Sequence, residues 1–121
     1  MVKKLINAQD RIFLAGAEGM AGSAIYRSLI KHGFKNILKP SRKELDLLNI
    51  NLVKRWFEDE KPDVVILAAA KVGGISANNK YPAAFLLDNL KIQTNVIETA
   101  WKSKVRRLLF LGSSCIYPKY A

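Results

Sequence analysis

The chain has 121 residues, of which 50% are hydrophobic and 25% charged, a balance typical of a folded globular protein rather than a disordered or collagenous one. Its formal net charge is +10, but the basic residues are scattered without a zinc-finger spacing, a recognition-helix motif or an aromatic RNA signature, so we expect no nucleic-acid partner. The longest apolar runs fall far short of the ~20 residues that cross a bilayer, and the first residues lack the apolar core of a signal peptide, so we expect a cytoplasmic protein with no membrane partner.

Cysteine and histidine occur once each, at Cys115 and His32. A lone cysteine cannot form an internal disulfide, and it cannot by itself build a thiolate metal site. His32 stands at the end of a helical stretch, just before Gly33, where an imidazole near the last carbonyls is favourable. We therefore interpret His32 as a surface residue and predict no metal site.

The first part of the chain predicts a strand, a helix and a second strand. The apolar run at 12–15 ends at Gly16, as a buried strand that enters a tight turn does. Apolar residues then recur three and four positions apart until Gly33 supplies a stop, which predicts a helix. A weaker second strand at 36–39 ends before Pro40, because proline has no amide to donate to a ladder.

The middle of the chain predicts a second helix and the clearest strand. Apolar residues repeat at helical spacing between a possible Asn49 cap and Pro62. Residues 63–68 are almost continuously Val, Ile and Leu, as in strands that are covered on both faces, and this favours a parallel sheet. The segment 71–81 is rich in glycine and asparagine and is predicted to be a loop.

A third helix from about Pro82 to Lys102, with a broad apolar stripe, and a fourth strand at 107–111 complete the alternation. Alternating strands and helices build right-handed crossovers and a doubly wound sheet. The sequence therefore predicts an α/β fold, a Rossmann-like doubly wound parallel sheet truncated to four strands. We expect these strands, numbered along the chain, to lie in the order three, two, one, four.

A glycine-rich turn directly follows the first strand and opens the first helix. Gly16 would permit the tight turn, Gly19 would let the backbone approach a pyrophosphate, and Gly22 would let the helix pack closely on the sheet. Glycines can also merely punctuate a strand-to-helix turn, but this context favours phosphate binding at the helix amino terminus. The three-apart spacing matches short-chain dehydrogenases, and we predict cofactor contacts from Gly16, Ala17, Glu18, Gly19, Met20, Ala21 and Gly22.

Three blocks of the chain resemble the GDP-L-fucose synthase family of extended short-chain dehydrogenase/reductases. The first is the glycine turn and the start of its helix, at 19–25. The second spans 67–83 and contains Lys71-Val72-Gly73-Gly74. The third spans 109–119 and contains Gly112-Ser113-Ser114-Cys115. The order of the blocks along the chain is also that of the family.

The resemblance implies an NADP-dependent enzyme that epimerises GDP-4-keto-6-deoxy-D-mannose beside its ketone and then reduces the ketone to give GDP-L-fucose. It also implies a GDP-sugar substrate and a homodimer in the full-length protein. The family places a Tyr and a Lys four residues apart on a later helix, and Tyr117 and Tyr120 do not supply that pair. We therefore expect residues 1–121 to be an incomplete N-terminal NADP-binding domain that lacks the C-terminal substrate region. By itself it should be inactive, and its fourth strand should have an unpaired edge.

The resemblance also implies the roles of individual residues. Ser113 would hydrogen-bond the substrate carbonyl, and Cys115 would exchange a proton with the sugar carbon, although a small buried hydrophobe is the commoner role of a free cysteine. Asn89 would either support the active site from behind or bond a neighbouring loop. Lys71 would be a cation beside the cofactor cleft or a solvated charge. The further cofactor-binding residues would be Arg42, Lys43, Glu44, Leu45, Asp46, Leu47, Leu111, Gly112, Ser113 and Ser114.

The end of the second strand favours NADP over NAD. Enzymes that select NAD usually place a carboxylate there to bind the ribose hydroxyls, whereas this chain has Lys39-Pro40-Ser41-Arg42. An arginine can meet the extra phosphate of NADP with charge-assisted hydrogen bonds, and Arg42 matches the family's phosphate-binding arginine. Glu18 departs from the family pattern, and it would either repel that phosphate or pair with Arg42 or Lys43.

Two other functions fit the same sequence. One is a different NAD(P)-dependent nucleotide-sugar epimerase or dehydratase on the same scaffold, which would be distinguished by whether Cys115 and the block at 71–74 are needed. The other is a dinucleotide-binding fragment without catalytic activity.

Overall fold

The computed structural model describes residues 6–68 and 82–111, except for the side chains of Pro82 and Phe85. The predicted alternation of four strands and three helices is confirmed, while the predicted loop at 71–81 lies outside the described residues. No helix in the described ranges is both long and apolar enough to cross a membrane. The elements are β1 (Ile12–Ala15), α1 (Met20–Lys31), β2 (Ile37–Leu38), α2 (Ile50–Glu60), β3 (Val64–Leu67), α3 (Pro82–Lys102) and β4 (Arg107–Phe110).

The strands form one parallel sheet in the order β2-β1-β3-β4. Ile12 is in register with Ile37 on one side and with Val64 on the other, and Val64 is in register with Arg107. The predicted fold class, a Rossmann-like parallel α/β sheet, is confirmed. The predicted order three, two, one, four is wrong for the third strand, which lies beside β1 and not outside β2.

The faces that the helices occupy explain this strand order. Ile25 of α1 packs on one face of the sheet, with Ile12 and Leu14, whereas Phe57 of α2 packs on the other face, with Phe13. Crossovers between parallel strands are right-handed, so a helix on the opposite face carries the chain in the opposite direction along the sheet. The crossover through α2 therefore carries the chain from β2 back across β1, and β3 pairs with the other side of β1. Helical periodicity predicts an apolar face on each helix but not which face of the sheet it covers.

Aromatic packing fixes α2 against β1. The Phe13 ring lies 4.3 Å from the Trp56 ring and 5.6 Å, edge-on, from the Phe57 ring, measured between centroids. Such tilted and edge-to-face pairs are favoured by the aromatic quadrupole. The predicted Asn49 cap is confirmed, because its Oδ1 accepts hydrogen bonds from the amides of Asn51 and Leu52 at 3.1 and 3.2 Å.

Ion pairs hold together the amino ends of the strands. Asp10, before β1, accepts hydrogen bonds from the guanidinium of Arg106, before β4, and from the Asn7 amide. Burial raises the pKa of the Asp10 carboxyl, but these hydrogen bonds outweigh burial and leave its pKa below the ordinary value. Arg11 also pairs with Glu60 at 2.7 Å. Two ion pairs, Asp10–Arg106 and Arg11–Glu60, therefore stabilise this end of the sheet.

Among the residues that the structure describes, β4 is an edge strand, and all four of its residues are exposed. Leu108, Leu109 and Phe110 are 39–45% exposed, although large apolar side chains in a central strand of such a sheet are normally covered. An edge of this kind presents unpaired backbone groups to other strands.

Candidate dinucleotide-binding site

The direction of winding reverses between β1 and β3. The chain leaves β1 toward β2 on one side, and it leaves β3 toward β4 on the other. The Ala68 amide donates to the Ala15 carbonyl at 2.9 Å, so the two strands stay paired until their carboxyl ends. In open α/β sheets, ligands bind outside the carboxyl ends of the strands at this kind of switch point.

The glycine turn lies at this switch point. The structure gives each of its three positions a different physical relation to glycine. Gly16 has a φ of 90°, a left-handed conformation that glycine adopts without a steric penalty. A Cβ on Gly22 would lie 1.8 Å from the Gly16 carbonyl oxygen, so only glycine lets α1 approach β1 this closely. A Cβ on Gly19 would lie 3.6 Å from the same oxygen, an ordinary contact. Backbone conformation therefore favours glycine at Gly16, and close packing within the described chain requires it at Gly22, but neither requires it at Gly19.

The amino terminus of α1 is open. Its N-cap is Gly19, whose missing side chain supplies no capping hydrogen bond, and its first turn contains no acidic residue. Met20 at the first helical position is 92% exposed. The first amides of a helix lack partners within the helix and carry its positive dipole end, which favours a bound anion. The arrangement can therefore hold a pyrophosphate that approaches over Gly19.

A tight turn after β2 presents the predicted arginine. The Ser41 amide donates to Glu44 Oε1 at 3.4 Å, and the Glu44 amide donates to Ser41 Oγ at 3.3 Å, a reciprocal arrangement like a capping box. Arg42 and Lys43 lie between these residues and are exposed. Of the two alternatives for Glu18, pairing with Arg42 or Lys43 is not found among the described residues, where the ion pairs of arginine, Arg11–Glu60 and Arg106–Asp10, lie at the other end of the sheet. Both cations are therefore available to a ligand.

The rest of this predicted segment is divided between core and surface. Leu45 is buried in the core cluster, so its side chain supports the fold, and only its backbone can face a cofactor. Leu47 is partly buried against that cluster, and its carbonyl accepts a hydrogen bond from Asn95 Nδ2 at 2.8 Å. Asp46 is exposed, and its Oδ1 accepts a hydrogen bond from the Leu48 amide at 3.0 Å. Direct cofactor contacts from 44–47 stay a prediction.

The fourth strand brings the third block to the same edge. The Leu111 amide donates to the Leu67 carbonyl at 3.0 Å, so strand pairing continues one residue past β4, toward the carboxyl edge. The predictions for Gly112, Ser113, Ser114 and Cys115 lie outside the described residues, as does the one for Lys71. Asn89 is 2% exposed on the sheet-facing side of α3.

One contact at this edge was not predicted from the sequence. The Lys39 ammonium, directly after β2, lies 4.0 Å from the centroid of the Tyr26 ring on α1. The sequence indicates that Lys39 ends the second strand, but no local signal pairs it with a residue of the preceding helix. In ranges 6–68 and 82–111, no group of three or more His, Cys, Asp or Glu side chains is placed to hold a metal ion.

A cavity of about 630 Å³ lies at the opposite end of the sheet, between the last turns of α2 and α3. Lys61 and Lys104 line it, and each follows the end of a helix with a positive φ. Cations are favourable beside the carbonyl ends of helices, so the helix termini account for these lysines. The cavity is remote from the switch point, and we assign it no ligand.

The parallel sheet, the glycine turn at its switch point and the open helix terminus define a dinucleotide-binding α/β domain. Residues 12–121 match the NAD dependent epimerase/dehydratase family, and the chain belongs to this family.

Individual relatives confirm the resemblance that the three motif blocks indicate. The chain is 54% identical over 120 residues to GDP-L-fucose synthase 1 of Arabidopsis thaliana, a match that covers 99% of this chain and 37% of that protein. It is 51% identical over 114 residues to the GDP-L-fucose synthase of Escherichia coli, with 94% and 36% covered. A solved GDP-mannoheptose C4 reductase from Campylobacter jejuni with NADP bound has a TM-score of 0.86 and 40% identity, over 96% of this chain and 37% of that one. The chain thus spans little more than a third of the length of these proteins.

Proposed function

We propose that this chain is the cofactor-binding part of an NADP-dependent enzyme that converts GDP-4-keto-6-deoxy-D-mannose into GDP-L-fucose. The observation that carries the proposal is the pyrophosphate cradle, in which Gly22 packs on the Gly16 carbonyl and α1 presents its open terminus at the switch point. The substrate is proposed from two relatives that are more than half identical to the chain, both named GDP-L-fucose synthases.

The charges at the end of β2 support NADP as the cofactor. Lys39 and Arg42 follow this strand, and the segment between them contains no carboxylate that would bind ribose hydroxyls. The extra phosphate of NADP would meet the Arg42 guanidinium, which forms charge-assisted hydrogen bonds with phosphate oxygens. The bound cofactor would supply the hydride that reduces the substrate ketone.

The catalytic roles proposed for the third block follow from the chemistry of the reaction. Removing a proton beside a ketone requires an acid–base group at the carbon and stabilisation of the enolate oxygen. Cys115 would exchange the proton, and Ser113 would donate a hydrogen bond to the oxygen. Both follow Leu111 in sequence, which is still paired with Leu67 at the carboxyl edge of the sheet.

A second candidate is a reductase that acts on another GDP-linked keto sugar. The 40% identity to the Campylobacter jejuni GDP-mannoheptose C4 reductase favours it, because that protein shares the same cofactor domain. The two candidates differ in the substrate and not in the cofactor site.

The first test is turnover by the natural polypeptide with NADPH. With GDP-4-keto-6-deoxy-D-mannose we expect NADPH oxidation and formation of GDP-L-fucose, and in deuterated water we expect deuterium in the product beside the former ketone. Cys115→Ser should lower this deuterium incorporation by about a hundredfold or more, the range expected for a positioned acid–base group.

The outcomes of this assay separate the candidates. NADPH oxidation with a GDP-linked keto-heptose, and none with the deoxy sugar, would establish the second candidate. Unchanged deuterium incorporation in the Cys115→Ser variant would remove Cys115 from the mechanism.

We also propose that the natural protein is a homodimer that pairs through α3. Four large apolar side chains of this helix, including Trp101 at 77%, are 40–77% exposed. At 3.6 residues per turn they fall within an arc of about 100°, whose centre lies about 130° around the helix from the buried Val96. Several large apolar side chains exposed on one side of a helix are typical of a protein interface. The four residues are Leu86, Leu87, Leu90 and Trp101.

Leu90→Lys should convert the natural protein from dimer to monomer in sedimentation experiments, because it places a charge in the middle of this face. Ile30→Lys is the control, since Ile30 is similarly exposed, at 49%, but lies on α1, which packs on the other face of the sheet. A monomeric wild type would exclude the homodimer.

A further inference from the structure

The structure assigns Tyr26 the role of a positioning residue for cofactor selection. Its ring holds the Lys39 ammonium at the end of β2, where the cation would favour NADPH over NADH. This inference rests on the proposed NADP site. It adds a residue that neither binds the cofactor directly nor belongs to the glycine turn.

The contact joins a fixed ring to a flexible cation. Tyr26 lies on α1 and packs, partly buried, against the core cluster on that face of the sheet, so the fold anchors the ring. The Lys39 ammonium lies 4.0 Å from the ring centroid, within the distance at which an aromatic quadrupole attracts a cation. Lys39 itself is exposed. The ring therefore restrains a side chain that would otherwise sample many rotamers in solvent.

The strand register places this cation at the carboxyl edge of the sheet. β2 is parallel to β1, and Leu38 is in register with Phe13. Lys39 follows β2 directly, so this register makes it level with Leu14, two residues short of Gly16, on the carboxyl side of β2. This is the place where an NAD-selecting enzyme has its ribose-binding carboxylate.

The nature of the partner matters for phosphate binding. A carboxylate beside Lys39 would neutralise its charge and would repel the 2′-phosphate of NADP. An aromatic ring carries no net charge, so it positions the ammonium and leaves the full positive charge to act on a phosphate. Among the described residues, no acidic side chain forms an ion pair with Lys39. Tyr26 thus holds the Lys39 ammonium in place without neutralising the charge that would bind an anion.

The experiment measures the Kd values of this chain for NADPH and for NADH. Tyr26→Leu should raise the Kd for NADPH about threefold, the loss expected for an exposed cation–π contact, and leave the Kd for NADH unchanged. Tyr26→Phe keeps the ring face and should keep the wild-type Kd values. Lys39→Met should raise the Kd for NADPH about tenfold, because it removes the charge itself.

A double variant separates positioning from a structural role. If Tyr26 acts only through Lys39, Tyr26→Leu should have no further effect in a Lys39→Met background. Lys35→Met is the matched charge control, because Lys35 precedes β2 and lies about 13 Å away along an extended chain, more than the ~8 Å Debye length at physiological salt.

Each remaining outcome overturns a distinct claim. Equal losses for NADPH and NADH in Tyr26→Leu, or a loss that persists in the Lys39→Met background, would make Tyr26 a structural residue and overturn the inference. So would a Tyr26→Leu variant with wild-type Kd values. A wild-type chain that binds neither cofactor would instead overturn the proposed cofactor site.

Discussion

Gly22→Ala is expected to destabilise the chain by about 3 kcal/mol or more. The new Cβ would lie 1.8 Å from the Gly16 carbonyl oxygen and 2.6 Å from its carbon, and both atoms belong to the backbone. No change of side-chain rotamer relieves such a clash, so α1 would have to move away from β1. Because small domains are stable by only about 5–15 kcal/mol, urea denaturation should show a large fall in the midpoint or no folded state at all.

Two glycines of the same chain provide matched controls. Gly19→Ala meets the Gly16 oxygen at 3.6 Å, so its stability should stay close to that of the wild type while its affinity for NADPH falls. Gly33→Ala has no atom within 4 Å of its new Cβ but has a φ of 88°, and it should lose about 1 kcal/mol through backbone strain alone. If Gly22→Ala were no less stable than Gly33→Ala, the close approach of α1 to β1 would not be what requires this glycine.

Arg42→Ala is expected to weaken NADPH binding by about tenfold to a hundredfold while NADH binding changes little. A hydrogen bond to a charged group contributes about 1.5–3 kcal/mol, and only NADPH carries the phosphate that the guanidinium would meet. Arg42 is exposed in the Ser41–Glu44 turn, so its removal should not disturb the core. Titration of both cofactors into wild-type and variant chains measures the effect.

Arg55→Ala is the charge-matched control for this experiment, because Arg55 is an exposed arginine on α2, outside the glycine turn and the β2 turn. Arg42→Lys should show an intermediate loss, since lysine keeps the charge but not the planar pair of donors. Equal losses of affinity for NADPH and NADH in Arg42→Ala would contradict the assignment of Arg42 to the 2′-phosphate.

The kinds of element and their order along the chain were predictable from the sequence. The uninterrupted apolar run of β3, the helical spacing of α1 and α2 and the Asn49 cap are local signals, because each depends on residues a few positions apart. The glycine turn was predictable for the same reason, since a strand followed at once by glycines three apart is a local pattern. The motif blocks that resemble GDP-L-fucose synthases were also readable without coordinates, and relatives more than 50% identical confirm them.

Only the tertiary structure decided features that depend on which surfaces meet. The strand order followed from α1 and α2 covering opposite faces of the sheet, which placed the reversal of winding between β1 and β3. The same is true of Leu45, whose side chain belongs to the core, although it stands in a segment that the motifs assign to the cofactor. The roles of Gly19 and Gly22 could be distinguished only from the distance between a Cβ at each position and the Gly16 carbonyl oxygen. An amphipathic pattern predicts that an element has an apolar face. Which other element covers that face depends on the packing of the whole chain.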